Sequence, residues 1–349
     1  MKALVVGYGY MGQIRRKVVD DLPDLKLCGI CDPTLNDGEG AGAAVFGDYR
    51  QALAATRPDL VFVCTPNRHS PDVCVLALEQ GCHVFCEKPP GRTLDDVRKI
   101  LDAEQRHPGL KVMFGFNHRH HPAVLEAKAI VSAGRMGRVL WLRGVYGKSG
   151  GWGREFERSW RNDPEVSGGG ILLDQGIHML DLFRFFCGDF EEVHGLLTTT
   201  YWNIPVEDNA FVLLRNRAGQ VAQLHSSATL WKHTFRLEMG LEGGYLTITG
   251  LLSKTGSYGR ETLVIGRRPA AHENIPVGNP REEVVYFDKD LSWELQVRDL
   301  IRCIREGCPV SDSSTQDALR VMELIDAVYR NGVRNGSRAL VGLPGERKA

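Results

Sequence analysis

Short apolar runs alternate with amphipathic stretches along the first third of the chain. The apolar runs predict strands over Ala3–Val6, Leu25–Cys31, Leu60–Cys64, His83–Cys86 and Lys111–Phe114. The amphipathic stretches predict helices over Met11–Leu22, Pro71–Gln80 and Leu94–Arg106. Strands that alternate with helices are typical of a parallel sheet covered on both faces. We therefore predict an α/β domain over residues 1–118.

The pattern changes after residue 119. A helix is predicted over Ala123–Ala133, and long alternating runs then follow with few helices between them. These runs predict strands over Val139–Tyr146, Phe190–Tyr201, Ala210–Leu214, Gln220–Leu230 and Thr234–Leu241. Further helices are predicted over Ile171–Cys187, Trp293–Arg305 and Thr315–Asn331. We expect an α+β domain over 119–349 with a large open antiparallel sheet, and C-terminal helices (about 293–331) that pack back on the first domain.

Length and charge fit a two-domain globular protein. The 349 residues exceed one typical core, and 43 basic residues balance 43 acidic ones. A neutral chain offers no broad surface for nucleic acid or an anionic membrane, and no apolar run approaches the roughly 18 residues of a membrane span.

The nine cysteines lie mostly in apolar runs, and the N-terminus enters a strand at once. We expect a cytoplasmic protein with reduced cysteines and no metal.

A glycine motif follows the first predicted strand and opens a helix. It comprises Gly7, Gly9, Tyr10, Met11 and Gly12. Glycines at this spacing allow a tight turn and a close approach of the backbone to a pyrophosphate, which the helix N-terminus stabilises. Asp32 ends the second predicted strand, where a carboxylate accepts hydrogen bonds from an adenosine ribose. No Arg or Lys lies between Asp32 and Arg50 to bind a 2′-phosphate, so NAD is favoured over NADP. The alternative interpretation is that the glycines form an ordinary turn and that Asp32 only begins an Asp-Pro turn, with neither contacting a dinucleotide.

Two further motifs end strands at the carboxyl edge of the predicted sheet, where ligands bind in open α/β sheets. Thr65, Pro66, Asn67 and His69 follow one strand, and Glu87 with Lys88 follow the next. We assign these residues to the cofactor site. A lysine there can donate a hydrogen bond to a developing oxyanion. The alternatives are that both motifs are ordinary turns at strand ends and that Lys88 is a solvated surface lysine.

Asp174, His178 and Asp181 are spaced to lie on one face of a helix that follows three glycines. The rest of that helix is apolar, so these polar side chains need partners. A histidine with a pKa near neutrality beside a carboxylate suits proton removal from an alcohol, favoured at neutral to alkaline pH. The alternative is that both aspartates only accept hydrogen bonds from nearby backbone.

These motifs, in this order, resemble the family of glucose-fructose oxidoreductase, inositol dehydrogenase and rhizopine-catabolism proteins. The resemblance spans most of the chain and implies an N-terminal Rossmann domain and a C-terminal α+β domain whose sheet packs on another subunit. It further implies that Lys88, Asp174 and His178 are catalytic, and that the Lys88–Pro89 peptide is cis. A homodimer or homotetramer follows, for which Val221, Leu224, Ala228 and Leu230 are the apolar surface residues we predict.

Substrate recognition is predicted on two segments. Asn117 and Arg119 enter the second domain from the crevice side. Arg154, Arg158, Trp160 and Arg161 lie in a loop of glycines, tryptophans and arginines, residue types that bind phosphates and stack on sugars. The alternative is that this loop packs on a neighbouring subunit.

We therefore predict an NAD-dependent dehydrogenase of a sugar hydroxyl. The segment around Ser159, Trp160 and Arg161 resembles the nucleotide-sugar 3-dehydrogenase members of the family. This resemblance implies the leading hypothesis, a nucleotide-linked pyranose of the UDP-N-acetylhexosamine type that is oxidised at C3. A dehydrogenase of free inositol, polyol or aldose is the second hypothesis. A non-catalytic NAD-binding regulatory protein is the third, although such a protein has no need for Lys88, Asp174 and His178 together.

Overall fold

The computed structural model describes residues 1–36, 40, 42–150, 154–269 and 278–334. The strands are β1 Lys2–Val6, β2 Lys26–Cys31, β3 Val45–Phe46, β4 Leu60–Val63, β5 His83–Cys86, β6 Val112–Phe114, β7 Val139–Gly147, β8 Glu192–Thr198, β9 Asn209–Arg215, β10 Val221–Ser227, β11 Thr234–Leu241, β12 Gly244–Thr249, β13 Glu261–Arg267, β14 Glu282–Phe287 and β15 Val333–Arg334. The helices are α1 Tyr10–Asp21, α2 Tyr49–Thr56, α3 Ser70–Glu79, α4 Leu94–Arg106, α5 Pro122–Ser132, α6 Arg154–Glu157, α7 Pro164–Ser167, α8 Ile177–Cys187, α9 Ser292–Glu306 and α10 Thr315–Asn331.

The first sheet is parallel and has the strand order β3-β2-β1-β4-β5-β6. All five strands predicted for this region are present, within two residues at each end. Strand β4 is buried along its whole length, because helices cover both faces of the sheet. The short strand β3 and helix α2 were not predicted, since two and eight residues are too few to show a clear period.

The C-terminal helices lie against the first sheet. Val297, Leu300 and Ile301 of α9 share one apolar cluster with Ala3 and Val5 of β1. Helix α10 packs on α4 and β6 as well as on α8. The chain thus returns from the second domain and closes the outer face of the first. No helix in the described part of the chain is both long and apolar enough to cross a membrane.

The second sheet has nine strands in the order β14-β13-β12-β11-β7-β10-β9-β8-β15. Most neighbours are antiparallel, but β7 pairs with β10 in parallel, and so does β15 with β8. The predicted strand at Gln220–Leu230 ends earlier, at Ser227, because the chain turns there toward β11. Strands β12 to β14 were not in the prediction, and they extend the sheet beyond β11.

One face of this sheet packs on α8, and the other face exposes large apolar side chains. The exposed residues are Trp141, Leu196, Phe211, Leu213 and Val221. The prediction that Leu224 and Ala228 lie on an exposed surface is wrong, since both are 1% exposed. Strand alternation explains the difference for Leu224, which is three positions from Val221 and therefore points to the opposite face.

Candidate active site

A cavity of about 590 Å³ lies between the two domains. Its first wall is formed by Tyr10 and Met11 at the start of α1 and by Lys88 after β5. The facing wall comes from the second domain and includes Asp174 and His178. The motifs found in sequence at separate strand ends therefore meet at one crevice, as expected at the carboxyl edge of a parallel sheet.

The glycine motif forms an open cradle at the end of β1. A Cβ atom on Gly12 would collide with the carbonyl oxygen of Gly7, so the turn and the helix pack too closely for a side chain. A Cβ on Gly9, in contrast, would meet nothing within 4 Å. Gly9 also caps α1 without a side-chain hydrogen bond to the first turn. Open space beside backbone N–H groups at a helix N-terminus fits a dinucleotide pyrophosphate.

Asp32 lies at the end of β2 beside this cradle. Its carboxylate accepts hydrogen bonds from the Tyr8 N–H (2.7 Å) and from the N–H and hydroxyl of Thr34 (2.9 and 2.6 Å). Partial burial would raise the pKa of Asp32, but the bonds from Thr34 and Tyr8 lower it. The group is therefore an anion held in place, with lone pairs left for ribose hydroxyls.

The second cofactor motif, Thr65, Pro66, Asn67 and His69, is not among the described residues that line this cavity. The Thr65 hydroxyl is 3.0 Å from the Ser70 hydroxyl, and His69 caps α3 after the turn at Pro66. Asn67 is buried and donates its side-chain amide to the Ser167 carbonyl at 2.7 Å. This bond connects the first domain to the end of α7, a few residues before the π-turn that carries Asp174.

Glu87 forms an ion pair with a buried arginine, Arg15, which was not predicted from the sequence. Arg15 is fully buried, its Nε lies 2.6 Å from Glu87 Oε1, and its Nη2 donates to Gln296. The guanidinium also stacks on Phe85 and on Trp293 of α9. Helix α9 is therefore part of the support for the residue that precedes Lys88. The Lys88–Pro89 peptide is cis, as the resemblance implied.

Asp174 is surrounded by three cations. Its carboxylate lies 2.7 Å from Lys148 Nζ, 3.6 Å from Lys88 Nζ and 3.7 Å from Arg161 Nε. Burial would raise the pKa of Asp174, but Lys148, Lys88 and Arg161 together hold it far below its usual range. Lys88 also donates to the Asp174 carbonyl at 2.7 Å. The aspartate is therefore ionised and orients the ammonium group of Lys88.

The helix that carries Asp174 begins with a π-turn over Leu172–Gly176 and continues as α8. A Cβ on Gly170 would collide with the backbone of Glu207, whose carboxylate accepts the N–H groups of Gly170 and Leu172. The predicted single α-helix is therefore interrupted at its start. The wider turn presents Asp174 to the cavity, and π-turns inside helices occur frequently at functional sites.

His178 lies in an aromatic enclosure. Its ring stacks on His118 with centroids 3.8 Å apart, and within the described part of the chain its buried Nδ1 has no hydrogen-bond partner. Burial, followed by the charge of Lys88, keeps the pKa of His178 well below its usual value. This differs from the near-neutral pKa that we predicted, because the helix buries the ring completely. His178 is thus already neutral at neutral pH and can accept a proton.

Asp181 does not share the cavity with Asp174 and His178. Its carboxylate forms a buried bidentate pair with Arg119, at 2.6 and 2.8 Å. Asp317 of α10 lies 3.2 Å from the same guanidinium. Arg119, predicted to bind substrate, therefore lies outside the cavity wall and joins α8 to α10.

The remaining predicted substrate residues are divided between the cavity and its surroundings. Asn117 and Arg161 line the cavity. Arg158 is exposed away from it, and Trp160 stacks under the guanidinium of Arg161 at 4.5 Å. Arg154 begins α6, but its side chain lies outside the described residues, as does the segment 151–153. Only part of the predicted arginine cluster thus faces the site.

Several cavity residues were not predicted. Lys148 follows the end of β7, and a signal for it was present, since it is the one cation between that strand and the glycine loop. Tyr146 and Tyr258 have ring centroids 5.6 Å apart, and the Gln175 amide donates to the Tyr258 hydroxyl. Burial keeps the pKa of Tyr146 well above its usual value, so this wall is polar but neutral.

Comparison with known proteins identifies the family. Residues 1–116 match the model of the oxidoreductase family with an NAD-binding Rossmann fold, and residues 124–247 match the GFO/IDH/MocA C-terminal domain. The chain belongs to the Gfo/Idh/MocA oxidoreductase family. It is similar to D-glucoside 3-dehydrogenase of Escherichia coli (strain K12), with 30% identity over 333 residues that cover 88% of each chain.

Solved Gfo/Idh/MocA structures share the fold. Levoglucosan dehydrogenase in complex with NADH and levoglucosan has a TM-score of 0.82 at 22% identity, covering 95% of this chain and 96% of that one. The WlbA dehydrogenase from Bordetella pertussis, solved with NADH and UDP-GlcNAcA, has a TM-score of 0.77 at 21% identity, with 95% and 96% covered. The N-terminal domain is thus an NAD-binding Rossmann domain in an oxidoreductase of the sugar and polyol dehydrogenase family.

Proposed function

We propose that the protein oxidises a secondary hydroxyl of a pyranose, at C3, with NAD as hydride acceptor. The observation that carries the proposal is the meeting of Lys88, Asp174 and His178 at one crevice beside the glycine cradle. A regulatory NAD-binding protein has no use for an oriented lysine and a neutral histidine in the same cavity.

The proposed chemistry divides between three side chains. His178 is neutral and accepts the hydroxyl proton as the carbon–hydrogen bond breaks. Lys88, held by Asp174, donates a hydrogen bond to the oxygen and stabilises its developing negative charge. Bound NAD supplies the hydride acceptor. The C–H and O–H bonds of the alcohol are thereby replaced by a carbonyl, with one proton left on the histidine.

A simple glycoside is the first candidate substrate, and a nucleotide-linked sugar is the second. The similarity to a D-glucoside 3-dehydrogenase over most of the chain supports the first. Lys148, Arg161 and Lys254 around the cavity support an anionic group, and WlbA was solved with a nucleotide sugar. However, Lys148 and Arg161 already neutralise Asp174, and Arg158 lies outside the cavity. These contacts leave fewer cations for a diphosphate than the sequence suggested.

We expect glycosides of glucose-type pyranoses to give higher kcat/KM than UDP-N-acetylhexosamines or inositols. The measurement is NADH absorbance across a panel of these three classes, with product analysis for a 3-keto sugar. Arg161→Gln provides the internal test, with the exposed Arg158→Gln as a matched control for loss of charge. A nucleotide sugar that is the best substrate, with a KM raised only in Arg161→Gln, would establish the second candidate. Oxidation of none of the three classes would contradict the proposal itself.

NAD is expected to bind at least roughly tenfold more tightly than NADP. The Asp32 carboxylate is kept ionised by Thr34 and Tyr8, and a 2′-phosphate beside it would face like-charge repulsion, which costs several kcal/mol at a close contact. Fluorescence titration with both dinucleotides measures the difference. Tighter binding of NADP would show that Asp32 does not select the cofactor.

We further propose that the chain assembles into a homodimer or homotetramer through the exposed sheet face. Phe211 and Leu213 of β9 and Trp141 of β7 are more than 40% exposed on two strands that are separated by β10 in the same sheet. Exposed apolar side chains of this size are of the kind that marks interfaces. Analytical ultracentrifugation should show an oligomer at micromolar concentration, and Leu213→Glu should shift it toward monomer. A wild-type protein that sediments as a monomer would refute the assembly.

A further inference from the structure

His178 lacks the partner that usually fixes a catalytic imidazole. In most histidine sites, a hydrogen bond to the second ring nitrogen sets the tautomer and the plane of the ring. Here Nδ1 of His178 is enclosed and has no hydrogen-bond partner among the residues that the structure describes. The ring must therefore be oriented by packing rather than by a carboxylate.

The packing surface is the ring of His118. The two imidazoles lie 3.8 Å apart with an interplanar angle of 20°, which is a face-to-face stack. Phe116 and Tyr146 contact His178 only edge-on, at 6.5 and 6.2 Å. A flat face at van der Waals distance restrains rotation of the His178 ring more closely than these edges do.

The ring of His118 is itself held in place by its contacts with Asn117 and His121. Its Nδ1 lies 3.2 Å from Asn117 Oδ1, so Nδ1 carries the proton, because that oxygen can only accept. The ring also contacts His121 at 5.4 Å, and His121 Nδ1 lies 2.7 Å from the Glu261 carboxylate. Glu261 is fully buried and accepts the Ala123 N–H as well. A line of contacts thus runs from β13 to the stacked ring.

We propose that His118 is a positioning residue for the reaction: its flat ring, anchored through Asn117 and His121, holds the imidazole of His178 in the orientation that accepts the substrate proton. The proposal rests on the proposed function, since it assigns His178 the role of base. Burial keeps the pKa of His118 well below its usual value, so the stack joins two neutral rings without charge repulsion.

Three variants separate ring orientation from simple filling of space. His118→Phe keeps a flat ring without nitrogen, whereas His118→Leu fills the volume without a flat face. We expect His118→Leu to lower kcat by roughly 10- to 100-fold, the scale of a small misplacement of a catalytic group, with little change in KM or NAD affinity. His118→Phe should restore most of that loss. His120→Leu is the matched control, because it makes the same change two residues further along, outside the cavity wall.

A spectroscopic measurement tests the stack without any substrate. In protein labelled with [13Cε1]histidine, the His178 signal is assigned by its loss in His178→Asn. The ring current of His118 should shift the His178 proton upfield in the wild type and in His118→Phe, but not in His118→Leu. Equal kcat in the Leu and Phe variants, or an unchanged His178 signal in His118→Leu, would overturn the positioning role. If the wild type oxidises no sugar while the shift is present, the proposed function fails and the stack stands.

Discussion

His178→Ala should lower kcat by roughly 10² to 10⁴, the range for loss of a proton-transfer group. Asp174 is not able to take over as the base, since it is bound by three cations that hold its pKa far below its usual range. Lys88→Ala should cause a similar loss, because the developing oxyanion loses its donor. Single-turnover rates with a confirmed substrate are the measurement, so that product release does not hide the chemical step.

NAD affinity separates this effect from damage to the fold. Neither side chain belongs to the glycine cradle, so the dissociation constant for NAD should change little in His178→Ala.

The pH dependence of kcat/KM provides a second test of these roles. His178, whose pKa is depressed, stays active as a base well below pH 6.5, and kcat/KM should be level through neutrality. Burial also lowers the pKa of Lys88, so activity should fall on the alkaline side as that proton is lost. Near-native single turnover in His178→Ala would exclude its role as base.

Arg119→Leu should destabilise the protein by roughly 3 to 5 kcal/mol, the cost of leaving one member of a buried ion pair alone. Arg119 is 4% exposed and Asp181 is 0% exposed, so water cannot replace the guanidinium. The urea midpoint, with the slope of the transition checked for constancy, gives the change in unfolding free energy. Kinetic constants for the sugar should change far less than the stability does.

A paired variant tests the cause of this loss. Arg119→Leu together with Asp181→Leu removes both charges, and an apolar pair of similar volume should recover much of the stability. Asp317, which also contacts Arg119, retains Arg184 as a partner in that variant. A normal urea midpoint in Arg119→Leu, accompanied by a raised KM, would instead return Arg119 to the substrate site as the sequence had suggested.

The fold was predictable wherever one pattern determined the local structure. The strands β1, β4 and β5 are buried on both faces, so their apolar runs identified them directly. Strand β3 has two residues and no such run. The parallel pairing of β7 with β10 was beyond prediction, because partner choice depends on contacts far apart in sequence. The π-turn at Asp174 was not predicted either, since the segment that accepts the N–H groups at its start, Glu207, lies more than thirty residues further along the chain.

The residues of the candidate site were likewise predictable only where a local sequence pattern determined their position. Lys88, Asp174 and His178 were found because strand ends and helix spacing carry information about position. Arg119 was misplaced because a basic residue near a crevice looks the same in sequence whether it faces ligand or a buried acid. His118 lies one position from Asn117 and Arg119, but its stack depends on how α8 docks. Docking of one element on another has no local signature in the sequence.

The return of α9 to the first sheet bears on the order in which the protein is made. Arg15 and the apolar residues of β1 leave the ribosome early, whereas Gln296, which bonds to Arg15, and Val297, which packs with β1, are synthesised only after strands β7 to β14. The nascent first domain therefore carries an uncovered apolar face and an incompletely paired cation throughout synthesis of the second. Its final form, and the full support of Glu87 before Lys88, can be reached only after α9 has been synthesised.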